Sequence, residues 1–353
     1  MERLPISSIY ATADAALPHG PEWIETQWQF ACSKAKASEP VLLVLDELQK
    51  VRGWREELKR LWDTRVDDIR VLVLGSSALL LNQGMSESLA GRFFLNRFTH
   101  WNLTECRDAF GWSMDQWLYF GGYPGAAVFS EDESSWKQYV VDSLIETVLA
   151  KDVLQIERVH KPALLRNLFG LACTFPSQMF SYNKMLGQLS DAGNTTTLAH
   201  YLKLLDSAFI AVGLEQFSKG QVRKRGSSPK LLLWNNALIN ALSPRTSQDA
   251  REDSTWWGRV VENAVGAHIL NDTCSNPAIT LTYWHKGNYE VDFVLQRGEE
   301  IVALEIKSGR PAKSMGMALF RKAYPSARTM IIGGGGIPLE AFFNAHVEEF
   351  IFG

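Results

Sequence analysis

Apolar positions follow two rhythms along the chain. Val41, Leu42, Leu43, Val44 and Leu45 form an unbroken aliphatic run, as expected of a parallel strand covered on both faces, and the run ends in two adjacent carboxylates, Asp46 and Glu47. The stretch VLVLGSS at 71–77 predicts a second buried strand, closing in Gly75, Ser76 and Ser77. Between them Trp54, Leu58, Leu61 and Trp62 recur at helical spacing and predict an amphipathic helix over 54–64. Trp23, Ile24, Trp28 and Ala31 predict another over 21–37. This alternation makes residues 1–125 an α/β unit, and the carboxyl ends of its strands are where such sheets bind ligands.

Residues 126–180 carry a helical pattern, with Val140, Leu144, Ile145 and Val148 on one predicted face. Residues 181–235 read as a winged helix. A short helix with Met185, Leu186 and Leu189 precedes a turn at Asp191–Gly193, and a second helix repeats Leu198, Tyr201, Leu202 and Leu205. Strands over Ala208–Leu214 and Lys230–Trp234 would flank a basic turn containing Lys219, Arg223, Lys224 and Arg225. Asn194 is the predicted N-cap of the second helix, and Thr195, Thr196, Thr197, His200 and Lys203 supply its polar side chains. In helix-turn-helix proteins the second helix enters the major groove while basic residues contact phosphates; the same module also docks proteins.

Residues 236–353 hold the sharpest chemical signal. A helix over 256–270 contains Glu262, and strands follow at 280–285, 290–295 and 301–309. Period-two geometry puts Glu305 and Lys307 on one face of the last strand, and a tight hairpin sets Asp292 beside Glu305. Two carboxylates and one ammonium converge, either as a reactive site or as a salt-bridge network.

Composition narrows the setting. With 36 Lys+Arg against 39 Asp+Glu the net charge is −3, so any nucleic-acid surface must be local. The four cysteines form no CxxC pair, which argues against a zinc site and for a reducing, cytoplasmic setting. No apolar run approaches the ~20 residues of a membrane span, so a membrane is not among the expected partners.

The strand ending in Asp46 and Glu47 resembles the Walker B segment of AAA-type P-loop ATPases. That resemblance implies Mg²⁺ on Asp46, water orientation by Glu47, γ-phosphate sensing by Ser76, and an arginine, Arg92, that reaches a neighbouring subunit's nucleotide. GGYPGA at 121–126 resembles the family's entry into a helical lid. No GxxxxGK[ST] motif occurs, and ISSIYATAD reads as the second strand of such a domain. A truncated or degenerate ATPase core is therefore expected, with ATP bound weakly or not at all.

The C-terminal constellation resembles the restriction-endonuclease-like superfamily, whose motif is an Asp, a variable gap and then Glu-x-Lys, with a helical Glu contributing from outside the sheet. The resemblance implies Mg²⁺ on Asp292 and Glu305, water activation by Lys307, and a metal-bound water held by Glu262. The expected fold is thus α/β: a truncated AAA-type parallel sheet (1–125), a helical lid (126–180), a winged helix (181–235) and a restriction-endonuclease-like α/β domain (236–353). The leading expectation is a DNA-associated protein of the AAA ATPase family with a Mg²⁺-dependent nuclease-like domain. The alternative is a non-catalytic regulator or adaptor whose partner is DNA, another protein or a second copy of the chain.

Overall fold

The computed structural model describes residues 6–35, 40–65, 68–75, 89–153, 159–189, 193–218, 228–309 and 314–353. It divides into two compact units, Met1–Leu95 and Asn96–Gly353.

In the first unit, β1 (Ser7–Thr12), β2 (Val41–Asp46) and β3 (Ile69–Val73) form a parallel sheet in that order, with Ile9 beside Leu43 and Val44 beside Leu72. Helix α1 (Glu22–Lys34) and helix α2 (Trp54–Asp63) cross between the strands. Their stripes of Ile24, Trp28 and Ala31, and of Trp54, Leu58 and Leu61, close over Leu43 and Leu45, burying the apolar face that the pattern predicts. β3 starts earlier than the 71–77 run and stops at Val73; Ser76 lies outside the described residues.

The second unit opens with α3 (Leu103–Phe110) and α4 (Met114–Phe120), each started by a reciprocal capping box, Asn102 with Glu105 and Ser113 with Gln116. α5 (Glu133–Tyr139) runs into π-type turns over Val140–Ile145 and Val148–Val153. The wider π turn explains why the buried pair there is Val140 and Ile145, five residues apart, while Leu144 is only half-buried. α6 (Pro162–Thr174), α7 (Tyr182–Gln188) and α8 (Thr195–Ser207) follow.

Next come the antiparallel strands β4 (Ala211–Leu214) and β5 (Lys230–Leu233). The strand expected from Ala208 begins three residues later. Helix α8 persists to Ser207, and Phe209, with φ of 55°, turns the chain before β4 can start. Helix α9 (Asn236–Leu242) leads to α10 (Ser254–Thr273), which lies against a four-stranded sheet. That sheet is ordered β6 (Ile279–Lys286), β7 (Tyr289–Arg297), β8 (Glu300–Lys307), β9 (Arg328–Gly333). β6, β7 and β8 are antiparallel neighbours, and β9 joins parallel to β8 after α11 (Met315–Ala323).

Buried asparagines fasten these elements. Asn263 of α10 meets the Leu233 backbone twice, accepting from its N–H and donating to its carbonyl, both at 2.9 Å, and also donates to Asn236. Asn236 donates to the carbonyls of Leu118 and Val260, and Asn240 to that of Tyr119. Asn235 accepts from Gly122 N–H. Gly122 is obligatory, because a Cβ there would stand 2.0 Å from the Trp101 carbonyl oxygen. The carbonyls at the end of α4, left over by the helix ladder, are thus satisfied by side chains.

Candidate functional site

Three elements of the second unit bring Glu262, Asp292, Glu305 and Lys307 together, as the sequence pattern predicts. α10 carries Glu262, β7 Asp292, and β8 both Glu305 and Lys307. Lys307 Nζ donates to Glu305 Oε1 at 2.6 Å. Asp292 Oδ2 accepts from the backbone N–H of Ile306 at 2.7 Å, tying the two strands at the site. Asp292 and Glu305 are each only 7% exposed. Burial, and then the Asp292 charge, push the Glu305 carboxyl above its ordinary pKa. Burial acts against the charge on Lys307, but the Glu305 contact outweighs it and the ammonium is held.

A fifth residue stands at the centre. Lys230, at the start of β5, is 1% exposed and places its ammonium 2.5 Å from Glu262 Oε1. The same nitrogen is 3.2 Å from the Asp292 carbonyl oxygen and 3.8 Å from Asp292 Oδ1, and it lies over the Phe293 ring. Burial alone would drive the proton off; Glu262 and then Asp292 reverse that and hold the Lys230 pKa above its usual value. Burial raises the Glu262 carboxyl, with Lys230 opposing the shift. The expectation of a wing strand beginning at Lys230 gave this side chain no role. The signal that could have found it is a lysine heading the wholly apolar run KLLLW, since a strand whose Leu231, Leu232 and Leu233 are fully buried carries its first side chain inward too.

The fit to a divalent ion follows from these contacts. A cation between the Glu262 and Asp292 carboxylates would have to share space with an ammonium 2.5 Å from the first and 3.8 Å from the second. Among the described residues no group of three or more His, Cys, Asp or Glu side chains is arranged to hold a metal. As folded, the cluster does not suit Mg²⁺.

The carboxylates of the first unit are arranged differently. Asp46, at the end of β2, accepts from Tyr10 Oη at 2.5 Å through one oxygen and from the Glu47 amide through the other. The Asp46 contact raises the Tyr10 phenol pKa. Glu47 sits in a left-handed conformation, φ 54°, and its Oε2 faces Gln49 Nε2 and Lys50 Nζ. Arg92 makes a bidentate pair with Asp63 of α2, at 2.8 and 3.1 Å.

On α8, Thr195, Thr196, His200 and Lys203 are exposed along one side. Thr197 is half-buried and turned to the cap, its N–H and hydroxyl both bonded to Asn194 Oδ1. Arg223, Lys224 and Arg225 lie outside the described residues.

Comparison with known proteins finds three family matches along the chain. Residues 8–106 match a family described as an AAA domain. Residues 111–249 and 257–341 match two families described as domains of unknown function, DUF8612 and DUF4143. The first of these makes the N-terminal part of the chain similar to AAA domains, and the others make the remainder similar to domains of unknown function. Uncharacterised proteins of Mycobacterium tuberculosis and Mycobacterium bovis are each 28% identical over 75% of this chain and 58% of their own length. An uncharacterised protein of Haemophilus influenzae is 20% identical over 76% of this chain and 66% of its own length. The chain therefore spans about three-fifths of the mycobacterial relatives it matches. No helix among the described residues is long and apolar enough to cross a membrane.

Proposed function

We propose that this AAA-family, ATPase-like chain is a DNA-associated regulator that does not cut its partner. In this reading the exposed side of α8 engages the nucleic acid, and the C-terminal domain, restriction-endonuclease-like in the layout of Glu262, Asp292, Glu305 and Lys307, is a scaffold. The observation that carries the reading is Lys230, whose buried ammonium lies 2.5 Å from the Glu262 carboxylate and 3.8 Å from that of Asp292, where a nuclease of that layout needs a metal ion. The exposed Thr195, Thr196, His200 and Lys203 support α8 as the contact surface.

The test has two parts. Gel-shift titrations on duplex DNA should show binding that weakens in Lys203→Ala and loses about one unit of salt slope. Plasmid incubated with the chain in Mg²⁺ or Mn²⁺ should stay intact. Nicking that disappears in Asp292→Asn would instead favour the second reading, a metal-dependent nuclease, for which the convergence of Asp292, Glu305 and Lys307 is the supporting observation.

A further inference from the structure

The charge balance of the C-terminal cluster leads beyond the question of cutting. Three carboxylates, Glu262, Asp292 and Glu305, share one pocket with two ammonium groups, Lys230 and Lys307. Buried carboxylates in one cluster repel one another unless a cation stands among them. Lys307 reaches the cluster from the same strand as Glu305 and pairs with it, and its side chain is 24% exposed. Lys230 comes from β5, which precedes α9 and the Glu262 helix α10 in sequence, and its side chain is 2% exposed. Its stem cannot swing to solvent without disturbing a strand whose next three residues are fully buried.

We propose that Lys230 is the resident cation of this cluster and takes the place of a divalent ion, so that the wild-type pocket is closed to metal and its removal opens it. A divalent ion entering beside both ammonium groups would put four positive charges against three negative. Without Lys230 the count is three positive against three negative with the ion bound, and two uncompensated negative charges without it. The inference rests on the restriction-endonuclease-like reading of the same residues, but its test involves neither DNA nor cleavage, so the two can fail separately.

The experiment is calorimetric titration of Mn²⁺ into the full chain, as wild type, Lys230→Met and Lys230→Met/Asp292→Asn. Lys230→Met should gain a site with a dissociation constant on the order of 0.1–1 mM, at least ~10-fold tighter than any binding by wild type, and the added Asp292→Asn should abolish it. Wild-type binding of Mn²⁺ as tight as that of Lys230→Met overturns the proposal, as does a folded Lys230→Met that binds none. Should Lys230→Met fail to fold in buffer alone, refolding it with millimolar Mn²⁺ becomes the measurement. Recovery of the native circular-dichroism spectrum supports the inference, and no recovery overturns it.

Discussion

Asp292 accepts the backbone amide of Ile306 at 2.7 Å through one carboxylate oxygen and turns the other towards Lys230, at 3.8 Å. The bond lies just past Phe293 and Leu304, the last pair of the ladder between β7 and β8 at that end. One side chain therefore closes a strand pair and helps neutralise a buried ammonium. Asp292→Ala should lose both and cost about 3 kcal/mol of stability, whereas Asp292→Asn, which can still accept from Ile306, should cost about half as much. Urea unfolding of the two variants measures the difference; equal losses would mean that the amide bond contributes nothing.

Asn263 should be the most sensitive of the buried amides. Replacing it with Ala leaves Leu233 N–H and C=O and the Asn236 carbonyl oxygen unpaired in a dry setting. The expected cost is roughly 2–4 kcal/mol, seen as a lower urea midpoint. Asn236→Ala should be milder, because the Val260 carbonyl lies inside helix α10 and the Leu118 carbonyl keeps a second donor in Asn240 Nδ2 at 3.5 Å.

Acid should weaken the second unit through His100. Its Nε2 donates to the Phe209 carbonyl at 2.9 Å, and burial lowers its pKa to about 4. The unfolded chain takes up a proton near pH 6.5 that the folded chain refuses until about pH 4, so stability is full above the first value and falls as pH drops towards the second. The loss attributable to His100 is about 3 kcal/mol across that window. His268, also lowered by burial, works in the same direction. Thermal melts of wild type and His100→Gln between about pH 7 and about pH 4.5 should show a shallower acid loss in the variant. Parallel curves would assign the acid sensitivity elsewhere.

Much of this molecule was legible from local rhythm. The aliphatic run into Asp46, the stripes of α1 and α2, and the period-two placement of Glu305 and Lys307 depend on neighbours close in sequence, and the strands and helices formed as that spacing requires. Two things were not legible. The first is where the charges end up: Arg92 is engaged by Asp63, 29 residues away, and Lys230 by Glu262, 32 residues away, and no periodicity reports a partner at that distance. The second is the depth of a strand. KLLLW is as apolar as a wing strand resting on its own helices would be, and only the packing of α10 across it shows that it belongs to the inner layer of the C-terminal half.

The pairing of Lys230 with Glu262 also limits how the protein can be cut into pieces. The ammonium belongs to the segment matched over 111–249 and the carboxylate to the segment matched over 257–341. A fragment expressed from residue 257 onward would keep the acids and Lys307 but lose Lys230, the more buried of their two counter-charges, together with the strand on which Asn263 rests. Any metal such a fragment bound would report the excision rather than the protein. The working unit for biochemistry is the whole span from Asn96 to Gly353, with its two matched segments acting as one electrostatic body.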